Sequence, residues 1–165
     1  YLYVHQSQME VQSMTTKEES TNKLIEQALT ATTIAVIGCS TSPGKPAHDV
    51  PAYLIKYGYD IIPINPFAKQ IFDTTAYDSL SAVPDDYTID VINVFRPSEE
   101  VANIVESVIE RHTQVGDSEI IWLQRGIRDN AAASKASKTG IDVVQDRCLK
   151  VAHEAHTKTD SDALG

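Results

Sequence analysis

Cysteine is scarce in this sequence: 165 residues carry two, Cys39 and Cys148. They stand far apart, without CxxC spacing and without a secretory signal, which argues against a disulfide scaffold or zinc ribbon and fits a reducing compartment. Long apolar runs are missing as well. No stretch approaches the ~20 residues that cross a bilayer, and the start shows no charged segment followed by an apolar one. These absences point to a soluble, cytoplasmic protein. Positive charge is also short, with 14 Lys and Arg against 23 Asp and Glu for a formal net charge of -9. Nucleic acid and anionic membrane are therefore not expected partners, since both need a basic surface. An anionic ligand requires a locally basic pocket.

What is present belongs to an ordinary globular protein. Hydrophobic residues make up 42% and charged residues 22%, inside the usual range. A chain of this length forms about one domain and buries roughly two thirds of its unfolded surface. Residues 1–15 are polar and without pattern, and Met14 looks like a more natural beginning than Tyr1. They are read as a disordered extension, residues 16–156 as a single domain, and residues 157–165 as a flexible tail. Thr16 and Glu19 have capping-box spacing, and Leu24, Ile25, Ala28 and Leu29 recur at helical intervals, which predicts an amphipathic helix over 17–30 packed by one face on the body.

From Thr33 onward five short apolar runs follow one another: Ile34 to Ile37, Ile61 to Ile64, Val91 to Phe95, Ile120 to Leu123 and Ile141 to Val144. Nearly continuous apolar strands separated by intervals long enough for helices predict a parallel sheet buried on both faces. The fold class is therefore α/β, a Rossmann-like doubly wound parallel five-stranded sheet in three layers. Right-handed crossovers suggest the strand order 3-2-1-4-5, with a ligand crevice at the carboxyl ends of strands 1 and 2. Helices are expected near 49–57, 97–112, 128–139 and 146–155. Pro51 falls where the first crossover helix should be running, so Asp49 is expected as its N-cap, with Pro51 in the first turn and a long loop before it.

The segment Gly38-Cys39-Ser40-Thr41-Ser42-Pro43-Gly44-Lys45 follows strand 1 and precedes a helix. Glycines, hydroxyls and free backbone N–H groups in that place can cradle a phosphate. It is not a Walker A loop, because position 43 is Pro and Pro46 follows Lys45, and it is not GxGxxG either. Strand 2 ends in Asn65-Pro66, where an NAD-binding fold presents an acid to the ribose 2′-hydroxyl. A ribose carrying a phosphate is better served by the absence of that acid. Asn-Pro also simply ends a strand. Lys45, Lys69, Arg96, Arg125 and Arg128 sit near predicted strand ends and together could supply the basic pocket. His153-Glu154-Ala155-His156 is not HExxH and is set aside as a metal site, and no catalytic set of nucleophile and base can be named.

Five ordered motifs, Gly38-x-Ser40, Asn65-Pro66, Asp90 to Arg96, Trp122-Leu123-Gln124-x-Gly126 and Asp146 to Lys150, resemble the stand-alone CoA-binding protein family, over roughly residues 31–153. These proteins are similar to the CoA-binding domain of the succinyl-CoA ligase α subunit. The resemblance implies CoA or acyl-CoA as ligand, with the pyrophosphate on the loop from Gly38 to Lys45, including Cys39, Ser40, Thr41 and Ser42. It places adenosine near Asn65, Pro66, Phe95 and Arg96, with Gln124 and Gly126 flanking the crevice. The chain departs from the family in having Val151-Ala152-His153 where a Glu often follows the Asp-Arg-Cys motif.

The function expected is a CoA or acyl-CoA binding protein without a complete catalytic apparatus, acting alone, as a homodimer or for a protein partner. The phosphohistidine segment and nucleotide-grasping subunit of the ligase reaction lie beyond the resemblance. An NADP-dependent enzyme or redox sensor, and an interaction module with a vestigial crevice, remain alternatives. Cys39 is read as a small buried residue, against the alternative of a thiol activated by adjacent N–H groups that exchanges with the CoA thiol. A disulfide between Cys39 and Cys148 is not expected from the separation of their strands.

Overall fold

A computed structural model of the chain describes residues 2–164. The order of elements is α1 (Leu2–Leu29), β1 (Thr33–Ile37), α2 (Pro46–Lys56), β2 (Asp60–Ile64), β3 (Gln70–Ile71), β4 (Thr74–Thr75), β5 (Val91–Val94), α3 (Val101–Val115), β6 (Ile120–Leu123), α4 (Asn130–Lys138), β7 (Asp142–Val144) and α5 (Leu149–Leu164). Short 3₁₀ turns occupy Leu80–Ala82 and Ser98–Glu100. The apolar runs form a five-stranded sheet of parallel pairs, and a small antiparallel hairpin, β3–β4, stands apart from it.

Side chains alternate across the sheet, as a strand period of two requires. Ala35, Ile62, Ile92, Val94, Ile121 and Leu123 pack under α3, α4 and the 3₁₀ turn at Leu80. Ile34, Val36, Ile61, Val91, Ile120 and Trp122 pack under α1, α2 and α5. Burying each Val, Ile or Leu side chain among them contributes about 1.5–3 kcal/mol. Trp122 is fully buried, and its indole N–H donates to the Arg147 carbonyl at 2.8 Å, so its one polar atom is satisfied.

The strand order is β2-β1-β5-β6-β7, which in order of the five long strands reads 2-1-3-4-5 and corrects the expected 3-2-1-4-5. The cause is Pro63. The N–H of Asp60 donates inward to Thr32, so the alternating odd position of Pro63 faces the outer side. A residue without an N–H on that side cannot serve a further strand, and Pro confines β2 to an edge. Among the described residues the outer carbonyl of Pro63 takes only the N–H of Tyr77, in an isolated bridge region. The third long strand instead pairs with β1, and the chain reverses direction of travel between β1 and β5. In open α/β sheets the ligand crevice lies at such a reversal, which shifts it from strands 1 and 2 to β1 and β5.

Helix α1 starts at Leu2, so it takes in most of the residues read as an extension, and α5 continues to Leu164 through those read as a tail. Thr16 is then a helix-interior residue. Its hydroxyl donates to the Gln12 carbonyl rather than capping a first turn. Helix α2 begins at Pro46, with Lys45 as N-cap, and Pro51 lies inside it, buried. The expectation that Asp49 caps this helix is thus corrected: its carboxylate reaches back to the N–H of Gly44 at 3.0 Å.

Between α2 and α5, Tyr53, Tyr57, Tyr59 and His153 form an aromatic cluster, with the Tyr53 hydroxyl 2.7 Å from His153 Nδ1. Burial, then His156, holds the His153 ring below the ordinary imidazole range. Burial pushes the Tyr53 hydroxyl up to about 12, so it stays protonated. An unfolded chain takes up the His153 proton near pH ~6.5, while the folded chain resists it. Stability is therefore retained above that pH and lost as pH falls toward the lower folded value. His153→Gln should flatten this loss, seen as a smaller drop in melting temperature between pH 7.5 and 5; equal drops in the two proteins would refute the assignment.

Asn93 presents a different feature. It is fully buried in the central strand β5, between Val36 of β1 and Trp122 of β6, and neither atom of its amide has a partner among the described residues. Leaving a buried amide unpaired costs about 1–3 kcal/mol. Asn93→Val, an apolar side chain nearer to it in volume than Leu, should raise stability by up to that amount in a urea titration. A loss of stability would mean that the amide holds an ordered water.

Candidate functional site

At the carboxyl edge of the sheet, a cleft of about 730 Å³ opens between the loop after β1, the end of β2, and the start of the β5–α3 connection. Its floor is set by one close approach. Gly38 has φ +84°, and a Cβ there would lie 2.9 Å from Arg96 Cδ and 3.2 Å from the Phe95 carbonyl oxygen. Only glycine allows both this conformation and this contact. The Gly38 N–H donates to Ile64 and the Phe95 N–H to Ile37, so the last rungs of the ladder hold all three strand ends in place.

The loop from Gly38 to Lys45 is held by hydrogen bonds of its own and by others to the first turn of α2. The Ser42 N–H donates to Ser40 Oγ at 3.0 Å, and the Gly44 N–H to Asp49 Oδ1 at 3.0 Å. That N–H, more than the neighbouring His48, keeps the Asp49 carboxyl below its usual range. The Ser40 N–H donates to the Ala47 carbonyl at 3.0 Å. In an uninterrupted helix the Ala47 carbonyl would accept from residue 51. Residue 51 is Pro, which has no N–H, so the interior proline that costs a helix bond is what leaves an acceptor for the loop. Among the described residues the backbone N–H groups of Cys39 and Thr41 have no acceptor; Cys39 is buried, so of the two only the exposed Thr41 is open to an anion.

The cleft brings together Gly38, Cys39, Ser40, Lys45, Asn65, Pro66, Phe95 and Arg96 of the residues singled out from sequence. Thr41 and Ser42 belong to the loop but not to its lining. Gln124 and Gly126 lie elsewhere: Gln124 is buried and accepts the Leu149 N–H, while Gly126 donates to Asp146. Both tie the turn after β6 to the corner before α5. Of the five basic residues expected to converge, only Lys45 and Arg96 reach the cleft. Arg125 and Arg128 follow β6, two positions away from β1, and Lys69 leads into the hairpin β3–β4.

Asn65 is engaged at both ends of its amide. Nδ2 donates to the Cys39 carbonyl at 2.9 Å, and Oδ1 accepts the Phe67 N–H at 2.7 Å, an Asx turn that also ends the strand. Arg96 Nε donates to Glu100 at 2.8 Å, and both side chains are half exposed, a weak pairing that a phosphate can displace. The Cys39 side chain is buried, and burial pushes its thiol up to about 12 despite the Ser40 N–H directed at it. This favours the small buried residue over the activated thiol. Cys39 and Cys148 are both free, and β1 and β7 stand three positions apart.

Several lining residues were not anticipated. Phe67 follows Asn65-Pro66 and is 95% exposed at the rim, a large apolar ring with nothing over it. Glu100, Ile104 and Ser107 line the opposite wall from α3 and its preceding turn. Their i, i+4, i+7 spacing was a visible signal, although spacing alone does not say which helix face meets a cleft.

Residues 32–154 match the family described as CoA binding domain, and the chain belongs to that family. It is 35% identical over 120 residues to the uncharacterized protein YneT of Bacillus subtilis (strain 168), covering 73% of this chain and 84% of that protein. Among solved structures it is similar to cell-free ID.343 from Thermus thermophilus, at 34% identity and TM-score 0.73, over 81% of this chain and 97% of that one. A redesigned protein, Prb, gives TM-score 0.74 at 27% identity over 81% of this chain and 90% of that one. The fold also recurs in Ca. Korarchaeum cryptofilum acetyl-coenzyme A synthetase 1, at 21% identity and TM-score 0.59, where 73% of this chain covers 26% of that one. Among the described residues no helix is long and apolar enough to cross a membrane.

Proposed function

We propose that the cleft between β1 and β5 binds coenzyme A or an acyl-CoA, and that the chain holds this ligand without transforming it, alone or for a partner protein. The observation that carries the reading is the close approach of Gly38 to Phe95 and Arg96. It supports a backbone surface on which a pyrophosphate can lie, with Lys45 and Arg96 as its cations. Arg96 exchanges its exposed carboxylate partner for a phosphate. Phe67 is suited to stack on the adenine ring. Cys39 is no thiolate at neutral pH, and its protonated state supports a holding role over covalent exchange with the ligand.

The test is calorimetric titration with CoA, acetyl-CoA and NADP. CoA species should bind and NADP should compete poorly. Arg96→Ala removes a charge-assisted contact worth about 1.5–3 kcal/mol, a loss of about tenfold or more in affinity. Binding of NADP in preference to CoA would move the protein to the redox class. Unchanged affinity in Arg96→Ala would remove Arg96 from the site, and no binding of any of the three would leave the crevice vestigial.

A further inference from the structure

A second groove, of about 560 Å³, runs between α1 and α5. Ile25 and Leu29 of α1 and Val151, Ala152 and Ala155 of α5 give it apolar walls, and Arg125 and Arg147 stand where α5 begins. The wall contributed by α1 lies outside residues 32–154, so the groove is not a property that membership of the family assigns.

The two arginines are exposed and have no ion-pair partner among the described residues, in a chain of net charge -9. Their side chains are free, but the turns that carry them are fixed. The Gln124 N–H donates to Val94 and the Arg147 N–H to Leu123. Gly126 donates to the Asp146 carboxylate at 2.6 Å, Leu149 to the Gln124 side chain at 3.3 Å, and Trp122 to the Arg147 carbonyl at 2.8 Å. Asp146 holds a left-handed φ of 55° to make this corner, a conformation that non-glycine residues adopt at a cost. Two adjacent turns are thus locked together, and each presents an unpaired guanidinium to one groove.

We propose that this groove is a second ligand site, taking an amphipathic anion whose carboxylate or phosphate head lies on Arg125 and Arg147 and whose short apolar tail lies between α1 and α5. Its volume suits a small ligand. The lining from Cys148 to Thr159 spans about 16 Å of helix at 1.5 Å per residue, so the tail is short. Two further carboxylates line the groove, and they restrict the ligand to one anionic end. Asp146 is engaged by Gly126, whereas Glu26 on α1 would repel a second negative group farther along. His156, also in the lining, is 3.3 Å from Asp160.

The experiment is titration of the isotope-labelled full chain with octyl phosphate and with octanoate, with 1-octanol as the uncharged control, followed by backbone amide shifts. The expected result is saturable shifts in residues 22–29 and 146–156 with at least one of the anions. Affinity should fall at least tenfold for 1-octanol and for the double variant Arg125→Gln/Arg147→Gln. Binding of only one anion fixes the head group as phosphate or carboxylate. Shifts confined to residues 38–45, equal binding of 1-octanol, equal binding by the double variant, or no saturation would each overturn the proposal. Both arginines are exposed, so the double variant should fold, and its CoA titration should match the wild type because neither residue lines the first cleft.

Discussion

Gly38→Ala is expected to fold and to lose CoA affinity by about tenfold to a hundredfold, the equivalent of about 1.4–2.8 kcal/mol. The added Cβ meets two obstacles. It places an L-residue at φ +84°, and it enters space 2.9 Å from Arg96 Cδ and 3.2 Å from the Phe95 carbonyl. Arg96 can swing aside, but doing so withdraws the guanidinium from the position a phosphate would use. The carbonyl belongs to the chain that closes the cleft and can move only by separating β1 from β5. Gly140→Ala separates these effects. Gly140 has φ +86° and nothing within 4 Å of an added Cβ, so the variant carries the backbone cost of about 1 kcal/mol without the contact. Melting temperature should fall in both variants, whereas CoA affinity should fall only in Gly38→Ala. Equal affinities in the two would mean that the close approach has no part in binding.

The largest effect on stability should come from a residue outside the cleft. Arg111 on α3 is buried, and its guanidinium bonds to the buried Asp117 at 3.0 Å and to the carbonyls of Val83 and Tyr87 at 3.2 and 2.9 Å. Asp117 in turn accepts the N–H of Ile89 at 2.8 Å and the hydroxyl of Ser118. The pair fastens the segment before β5 to the far end of α3. Removing one member leaves a buried charge and several carbonyls without partners, which costs about 3–5 kcal/mol. Arg111→Ala should show that loss in a urea titration. Arg111→Met/Asp117→Leu should recover part of it, because an apolar pair carries no desolvation cost. A loss below about 1 kcal/mol in Arg111→Ala would show that the clamp is solvated and weak.

The strands were legible because a sheet buried on both faces writes itself as continuous apolar runs, and the loop after β1 because glycine and hydroxyl residues punctuate it. The strand order was misread although its cause, Pro63, stood in the sequence. A proline inside a run marks an edge strand, and strand 2 cannot then lie between two others. Asn65 was legible as a strand end, but its two internal hydrogen bonds depend on where Cys39 and Phe67 come to rest. Gln124 and Gly126 carry a family motif, and the fold uses both to hold a corner. Arg111 and Asp117 gave no local signal: a charged pair six residues apart across a helix end reads as surface until tertiary packing closes over it. The α3 wall of the cleft was hidden for a related reason, since helical spacing reveals a stripe but not its neighbour.

The first measurement to make is a titration of the isotope-labelled chain with CoA, monitored by backbone amide shifts and repeated in the presence of NADP. Binding in the proposed cleft requires saturable shifts in residues 37–47, 64–67 and 95–107 that NADP does not displace. No saturation, or shifts that map outside those three segments, would contradict it.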